Sequence, residues 1–267
     1  MRREMQLNML GCGDAYDTNH TNASMLVTQG NFTLLIDCGP TVPQAFFAKV
    51  KATKVDHSGI DENTIDAIYL THAHPDHCLG LTTLVNWMKA QGRTKPLMIV
   101  GQRKQWSIFN ALLQFASWPH TSLNFECEWI DSLTITHVGP WSAQTSPTIH
   151  AVDNLSLYLS NGQYSLFFSG DGRLTPEGEA LAIKADAAFI ECEYLLSHAS
   201  HGAWQDISLL PFTTKTHCFL YHIDPRCRSE LTQRCQLQPN MSVAYDGLNL
   251  LLGSNSRHNL KVTPNVA

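Results

Sequence analysis

The most constraining stretch of the chain is Thr71-His72-Ala73-His74-Pro75-Asp76-His77, where three imidazoles and one carboxylate fall within six residues. It follows an apolar, β-like run, Ile68-Tyr69-Leu70, and precedes Cys78-Leu79-Gly80-Leu81, where a helical pattern opens. The cluster therefore sits where a strand ends and a helix begins, the address at which layered α/β folds gather functional side chains. His72 and His74 fall on one side of an extended segment and can reach one metal ion together. Asp76 and His77 lie beyond a proline that redirects the chain, and can reach a second. Imidazole nitrogens with a carboxylate suit zinc, manganese or iron, and no thiolate is required.

One loop cannot complete two coordination spheres, so other strand ends must contribute. His150 closes the run Pro147-Thr148-Ile149-His150 at the end of a β-rich region. Asp171 follows the apolar run Ser165-Leu166-Phe167-Phe168, within Ser169-Gly170-Asp171-Gly172. Its flanking glycines let the backbone come close, so its carboxylate is placed to bridge two cations. His222 ends the run Cys218-Phe219-Leu220-Tyr221. A shared position at a strand terminus joins these three to the first cluster as candidate ligands.

Short β-like runs alternate with helical ones along the chain, which predicts α/β layering. Strands are expected at residues 6–10, 24–28, 33–37, 67–71, 97–100, 134–138, 156–160, 165–168, 187–191 and 218–221, and near 242–245 and 248–252. Helices are expected at about 42–52, 78–91, 105–115, 176–184, 204–210 and 229–236. Two β-then-α halves predict a sandwich of two mixed sheets with helices outside, as a single domain over residues 1–267. A 43% hydrophobic fraction supplies the core for it.

A net charge of −5 argues against a broad electrostatic hold on nucleic acid. The eight cysteines are scattered with no C-x-x-C pair, which predicts free thiols rather than a disulfide framework. Met1-Arg2-Arg3-Glu4-Met5 runs straight into a strand-like segment with no apolar leader, and no window is long and apolar enough to span a membrane. A cytoplasmic protein is expected.

The series His72-x-His74-x-Asp76-His77, followed in order by His150, Asp171 and His222, resembles that of the metallo-β-lactamase superfamily. The likeness runs over residues 6–252, and Leu34-Leu35-Ile36-Asp37-Cys38-Gly39 is similar to the strand and Asp-x-Gly turn that precede the signature there. The resemblance implies a four-layer αββα sandwich. It places His72, His74 and His150 on one divalent ion, Asp76, His77 and His222 on the other, and Asp171 between them, with zinc the expected metal. Gly11-Cys12-Gly13-Asp14 and Asn22-Ala23-Ser24 are similar to the opening of the branch that holds tRNase Z and related phosphodiesterases. Glu191 and His201 resemble that branch's Glu and His pair; His201, 21 positions before His222, suits the part better than His198. Only 20 residues separate His150 from Asp171, which leaves little room for the long tRNA-gripping arm of bacterial tRNase Z. The expected partner is a small anionic molecule rather than tRNA, and the assembly a homodimer.

Two divalent cations about 3.5–4 Å apart can hold a bridging water and lower its pKa toward neutrality. The implied enzyme is a phosphodiesterase working through that hydroxide. Asp76 and Asp171 serve the site's chemistry, His201 donates a proton to the leaving alkoxide, and Glu191 orients His201. A lactone, thioester or β-lactam hydrolase is the alternative, favoured if Tyr194 or Tyr221 points at the metals; a non-catalytic metal-binding sensor is a third. Trp106, Trp118 and Trp204 belong to a pocket or to the core. His20 and Arg173 lie near site segments, whereas His57, His120, His137, His217 and His258 have no ligand spacing.

Overall fold

The computed structural model describes residues 4–56 and 59–253, so His57 and His258 lie outside the described residues. In the first half, β1 (Met5–Gly11), β2 (Ser24–Gln29) and β3 (Phe32–Ile36) form an antiparallel meander. β4 (Ala67–Tyr69), β5 (Leu97–Gly101) and β6 (Cys127–Asp131) extend it in parallel. Parallel strands need crossovers, and these are α1 (Val42–Asp56), the single turn α2 (Pro75–Cys78), α3 (Leu81–Ala90) and α4 (Trp106–Ser117).

The second half repeats the plan. β7 (His137–Val138), β8 (Trp141–Ile149), β9 (Leu155–Ser160) and β10 (Ser165–Phe168) pair antiparallel in turn, and β11 (Arg173–Leu174) joins the other side of β8. β12 (Ala187–Glu191), β13 (His217–Tyr221) and β14 (Met241–Val243) then run parallel to β10. Their crossovers are α5 (Pro176–Lys184), α6 (Trp204–Ile207) and α7 (Pro225–Cys235); Thr175 and Asp224 cap α5 and α7 with their side chains, each ahead of a proline. β15 (Asn249–Leu252) returns to pair with β1. The sheet orders are β15-β1-β2-β3-β4-β5-β6 and β11-β8-β9-β10-β12-β13-β14.

Strand alternation distributes the apolar residues among three packing layers. Ala67 and Tyr69 of β4 face the space between the sheets, with Phe168, Phe189 and Tyr221. Ile68 and Leu70 face the other way, onto Phe46, Leu84 and Phe109 of α1, α3 and α4. Likewise Ala187 and Phe189 turn inward while Ala188 and Ile190 meet Leu181 of α5 and Leu231 of α7. The result is helix, sheet, sheet, helix: the αββα sandwich. Within each sheet the strands that lead into the site residues share one direction: β3 with β4, and β8, β10, β12 and β13 together. Their C-terminal ends supply the site.

Two expectations change. The strand at 134–138 shrinks to β7, because Asp131 closes a turn over Leu133 and Thr134; the long strand of this region is β8. The helix at 78–91 is broken at Gly80, where an added Cβ would lie 2.1 Å from the Gly39 carbonyl oxygen. All eight cysteines are free thiols. Among the described residues, no helix is long and apolar enough to cross a membrane.

Candidate metal centre

His74 is extended (φ −74°, ψ 150°) and Pro75 opens α2 directly after it. Proline favours a first helical position, since its φ suits the helix and its missing N–H would have no partner there. Helix therefore begins at residue 75, not 78, and Asp76 and His77 sit on a helical turn. That change of direction lets neighbours in sequence face two different places.

Ligand atoms of His72, His74, His150 and Asp171 lie within 4.8 Å of one another, and so do those of Asp76, His77, Asp171 and His222. Asp171 belongs to both groups. His74 Nδ1 is 3.0 Å from His72 Nε2 and 3.1 Å from His150 Nε2. His77 Nε2 is 3.2 Å from both Asp76 Oδ2 and Asp171 Oδ1. His222 Nε2 is 3.3 Å from Asp76 Oδ2 and 3.4 Å from Asp171 Oδ2.

These residues fit a pair of cations. Burial, reinforced by positive neighbours, holds His72 well below the usual imidazole range, and burial holds His74 and His150 down as well. A neutral imidazole is the form that binds metal. In the second group burial opposes charge on His77 and His222, yet Asp171 with Asp37 drives His77 well up, and Asp171 with Asp76 brings His222 to about 9. Against its own burial, Asp76 is held well below the carboxylate range by His222 and His77. The carboxylates thus demand positive charge at this point, and His77 Nε2 and Asp171 Oδ1 are buried without hydrogen-bond partners. A cation between them satisfies both.

A surrounding layer fixes these side chains. Asp37, fully buried just past β3 with φ 56°, accepts from the Thr71 amide and hydroxyl and meets His77 Nδ1 at 2.8 Å. His150 Nδ1 donates to the Ser200 carbonyl at 3.0 Å, turning Nε2 toward the site. Asn154 accepts from the Asp171 amide and donates to the Ser169 carbonyl, pinning the Gly170 turn. The glycine-rich opening has a part as well: the Cys12 carbonyl accepts from the His222 amide, and Asp246 holds the Cys12 and Thr21 amides.

Glu191 ends β12 with its side chain fully buried, and its Oε2 accepts from the Gly172 and Gly202 amides. Its Oε1 lies 2.6 Å from His201 Nδ1. Glu193 Oε2 is 2.5 Å from the same nitrogen. Burial works against a charged His201, but the two carboxylates push it up to about 10. The His201 ring stands edge-on to that of His150, with centroids 5.0 Å apart. His198 is exposed and 5.4 Å from the His201 ring, so His201 is the one beside the candidate ligands.

Several named residues lie elsewhere. Trp204 and Trp106 pack with the helix layers, and Trp118 is exposed. His20 pairs with Asp17, and Arg173 reaches the His198 carbonyl. The Tyr221 hydroxyl donates to the Gly170 carbonyl at 3.0 Å. Sequence reading passed over Asn154 and Glu193, and saw Asp37 only as part of a turn. The alternation Glu191-Cys192-Glu193 is the signal that was available, since it sends both carboxylates to one side while Cys192 joins the helix layer.

The model of the family described as Anti-Pycsar protein Apyc1 matches residues 5–238. An anti-Pycsar protein Apyc1 of Paenibacillus harenae is 26% identical over 228 residues, 82% of this chain and 89% of its own length. That of Paenibacillus sp. (strain J14) is 36% identical over 98 residues, 37% of this chain, and the match spans only 36% of that relative. Among solved structures, the metallo-β-lactamase fold protein YhfI from Bacillus subtilis superposes with a TM-score of 0.75 at 19% identity, covering 93% of this chain and 100% of its own. Human tRNase Z, short form, gives 0.70 at 17%, covering 92% and 98%. The fold is the metallo-β-lactamase fold.

Proposed function

The chain belongs to the family described as anti-Pycsar protein Apyc1, and on that premise we propose that it is a metal-dependent phosphodiesterase acting on a small, anionic, nucleotide-like diester. We read the anti-Pycsar name of its relatives as pointing to a cyclic nucleotide. The observation that carries the proposal is a buried carboxylate, Asp171, common to two four-residue candidate ligand groups, with an imidazole, His201, bonded to Glu191 and flanked by Glu193 at their side.

In this reading His72, His74 and His150 hold one divalent ion, zinc in the first instance, and Asp76, His77 and His222 hold a second, with Asp171 between them. Bound metal supplies activated water and polarises the phosphoryl oxygens. The chain's own groups do the rest. Asp171, shared by the two groups, and Asp76 in the second would accept from the attacking water and orient it. His201, its Nδ1 tied to carboxylate, presents Nε2 to protonate the leaving alkoxide. An alkoxide needs that proton more than a thiolate leaving group of lower pKa does, which favours a diester over a thioester. The lactonase reading needs a tyrosine at the metals, but the Tyr221 hydroxyl is committed to the Gly170 carbonyl. A charged nucleotide does not cross a membrane unaided, so we place the activity in the cytoplasm.

Metal analysis followed by a substrate panel tests the reading: bis-p-nitrophenyl phosphate, a cyclic nucleotide, a homoserine lactone and a β-lactam. The expected result is metal-dependent turnover of the two diesters. Turnover of the lactone with neither diester cleaved refutes it.

A further inference from the structure

Around Glu191 the hydrogen bonds do not balance as they stand. Two imidazole nitrogens, Nδ1 of His201 and Nδ1 of His222, face two carboxylate oxygens, Glu191 Oε1 and Glu193 Oε2. Glu191 Oε1 takes the hydrogen bond from His201 at 2.6 Å and also lies 3.7 Å from His222 Nδ1. Glu193 Oε2 is only 2.5 Å from His201 Nδ1, yet it lies off the N–H direction and is buried without a hydrogen-bond partner. His222 Nδ1 is likewise buried and unpartnered, in a side chain 3% exposed. One carboxylate oxygen thus faces two imidazole nitrogens, while Glu193 Oε2 and His222 Nδ1 have no hydrogen-bond partner; Glu191, Glu193 and His222 each bring a ligand atom within 4.8 Å of the others.

A histidine that binds metal through Nε2 carries its proton on Nδ1, and that proton needs an acceptor to fix the ring. For His222 the carboxylate oxygen paired with Nδ1 is Glu191 Oε1, at 3.7 Å. A turn of the His201 ring toward Glu193 would give Glu193 Oε2 a donor and leave Glu191 Oε1 to His222 Nδ1, 3.7 Å away. Glu191 has little freedom to adjust instead, because its Oε2 is held by the Gly172 and Gly202 amides.

We infer that the two glutamates divide the work: Glu193 anchors the proton donor His201, which releases Glu191 to anchor the metal ligand His222. Both are positioning residues. Glu193 then governs metal affinity at a distance, through competition between two histidines for one carboxylate oxygen. This rests on the proposed metal site, and it departs from the simple Glu191–His201 pair that the sequence pointed to.

The test is zinc affinity by chelator competition, which requires no substrate. In Glu193→Ala, His201 reclaims Glu191 and leaves the His222 proton unpaired, so zinc binds roughly ten- to a hundredfold more weakly. Removing the competitor reverses this: Glu193→Ala/His201→Ala binds zinc within about threefold of wild type, a recovery that a merely structural role for Glu193 would not produce. Glu193→Gln, which retains an acceptor, stays between the two. In ¹⁵N-histidine spectra of the zinc-loaded wild type, both His201 and His222 report protonated, hydrogen-bonded Nδ1. If Glu193→Ala binds zinc as wild type does, or if the double variant is no better than the single one, the division of labour is wrong. A wild type that binds no zinc overturns the metal site itself, a separate failure.

Discussion

Asp171 is the residue on which both candidate ligand groups depend, and it is buried with one oxygen unpartnered. Asp171→Ala is expected to lose at least one of two bound zinc ions and reduce diester turnover more than about a thousandfold; metal analysis beside a rate assay checks both. Asp37→Asn, which weakens the acceptor behind His77, should lower zinc affinity roughly ten- to a hundredfold without touching a ligand. His201→Ala should slow diesters with alkoxide leaving groups by about 10²–10⁴, and p-nitrophenolate esters far less, with zinc content unchanged. The pH dependence follows from the direction of its shift. His201 is raised to about 10, so its proton is in place through neutrality and is lost as pH climbs past that value. Turnover of poor leaving groups should therefore have an alkaline limb near pH 10 that the alanine variant lacks. The residues of the two groups were legible as candidates because each is a metal-binding residue type at a strand end or in the turn that follows one. Asn154 and Glu193 were not, since their meaning lies in pairings with Asp171 and His201 that only the closed fold brings about.

The elements are shaped by what they deliver. α2 is a single turn wedged against the Asp37 loop: Gly39 lies so close that a Cβ there would be 1.9 Å from the Asp76 carbonyl oxygen. Gly39→Ala must push the signature turn away, and overpacking of this kind costs about 1–3 kcal/mol. Urea denaturation should show that loss alongside weakened zinc binding; a variant with unchanged midpoint and affinity would show that the contact does not set the turn. Strand and helix periodicity made most elements readable, and α5 and β12 have the expected bounds. Where reading went astray, local chemistry had overridden the pattern. Pro75 started a helix earlier than the apolar period did, Gly80 broke it, and the Asp131 turn consumed part of a strand.

At the scale of the whole molecule, two sheets of like plan meet across a core of Tyr69, Phe168, Phe189 and Tyr221, and the ends of their strands meet over a concentration of buried acid. Asp37, Asp76, Asp171 and Glu191 are all buried there, and among the described residues their ion-pair partners are histidines. Buried charge of one sign is costly without a counterion, so a metal bound only by the folded chain should stabilise it. At a hundred times its dissociation constant such an ion contributes about 2.7 kcal/mol, which for a chain of this size is a rise of roughly 5–10 °C in Tm. Thermal denaturation with zinc and with chelator checks it, and equal midpoints would count against the site. Whether this acid-lined edge opens a small phosphodiester is tested most directly by ³¹P NMR of a cyclic nucleotide incubated with the zinc-loaded protein. The cyclic diester signal is expected to give way to a phosphomonoester, and chelator to stop the conversion. A diester signal that persists unchanged while the same preparation opens a lactone would contradict the proposed function.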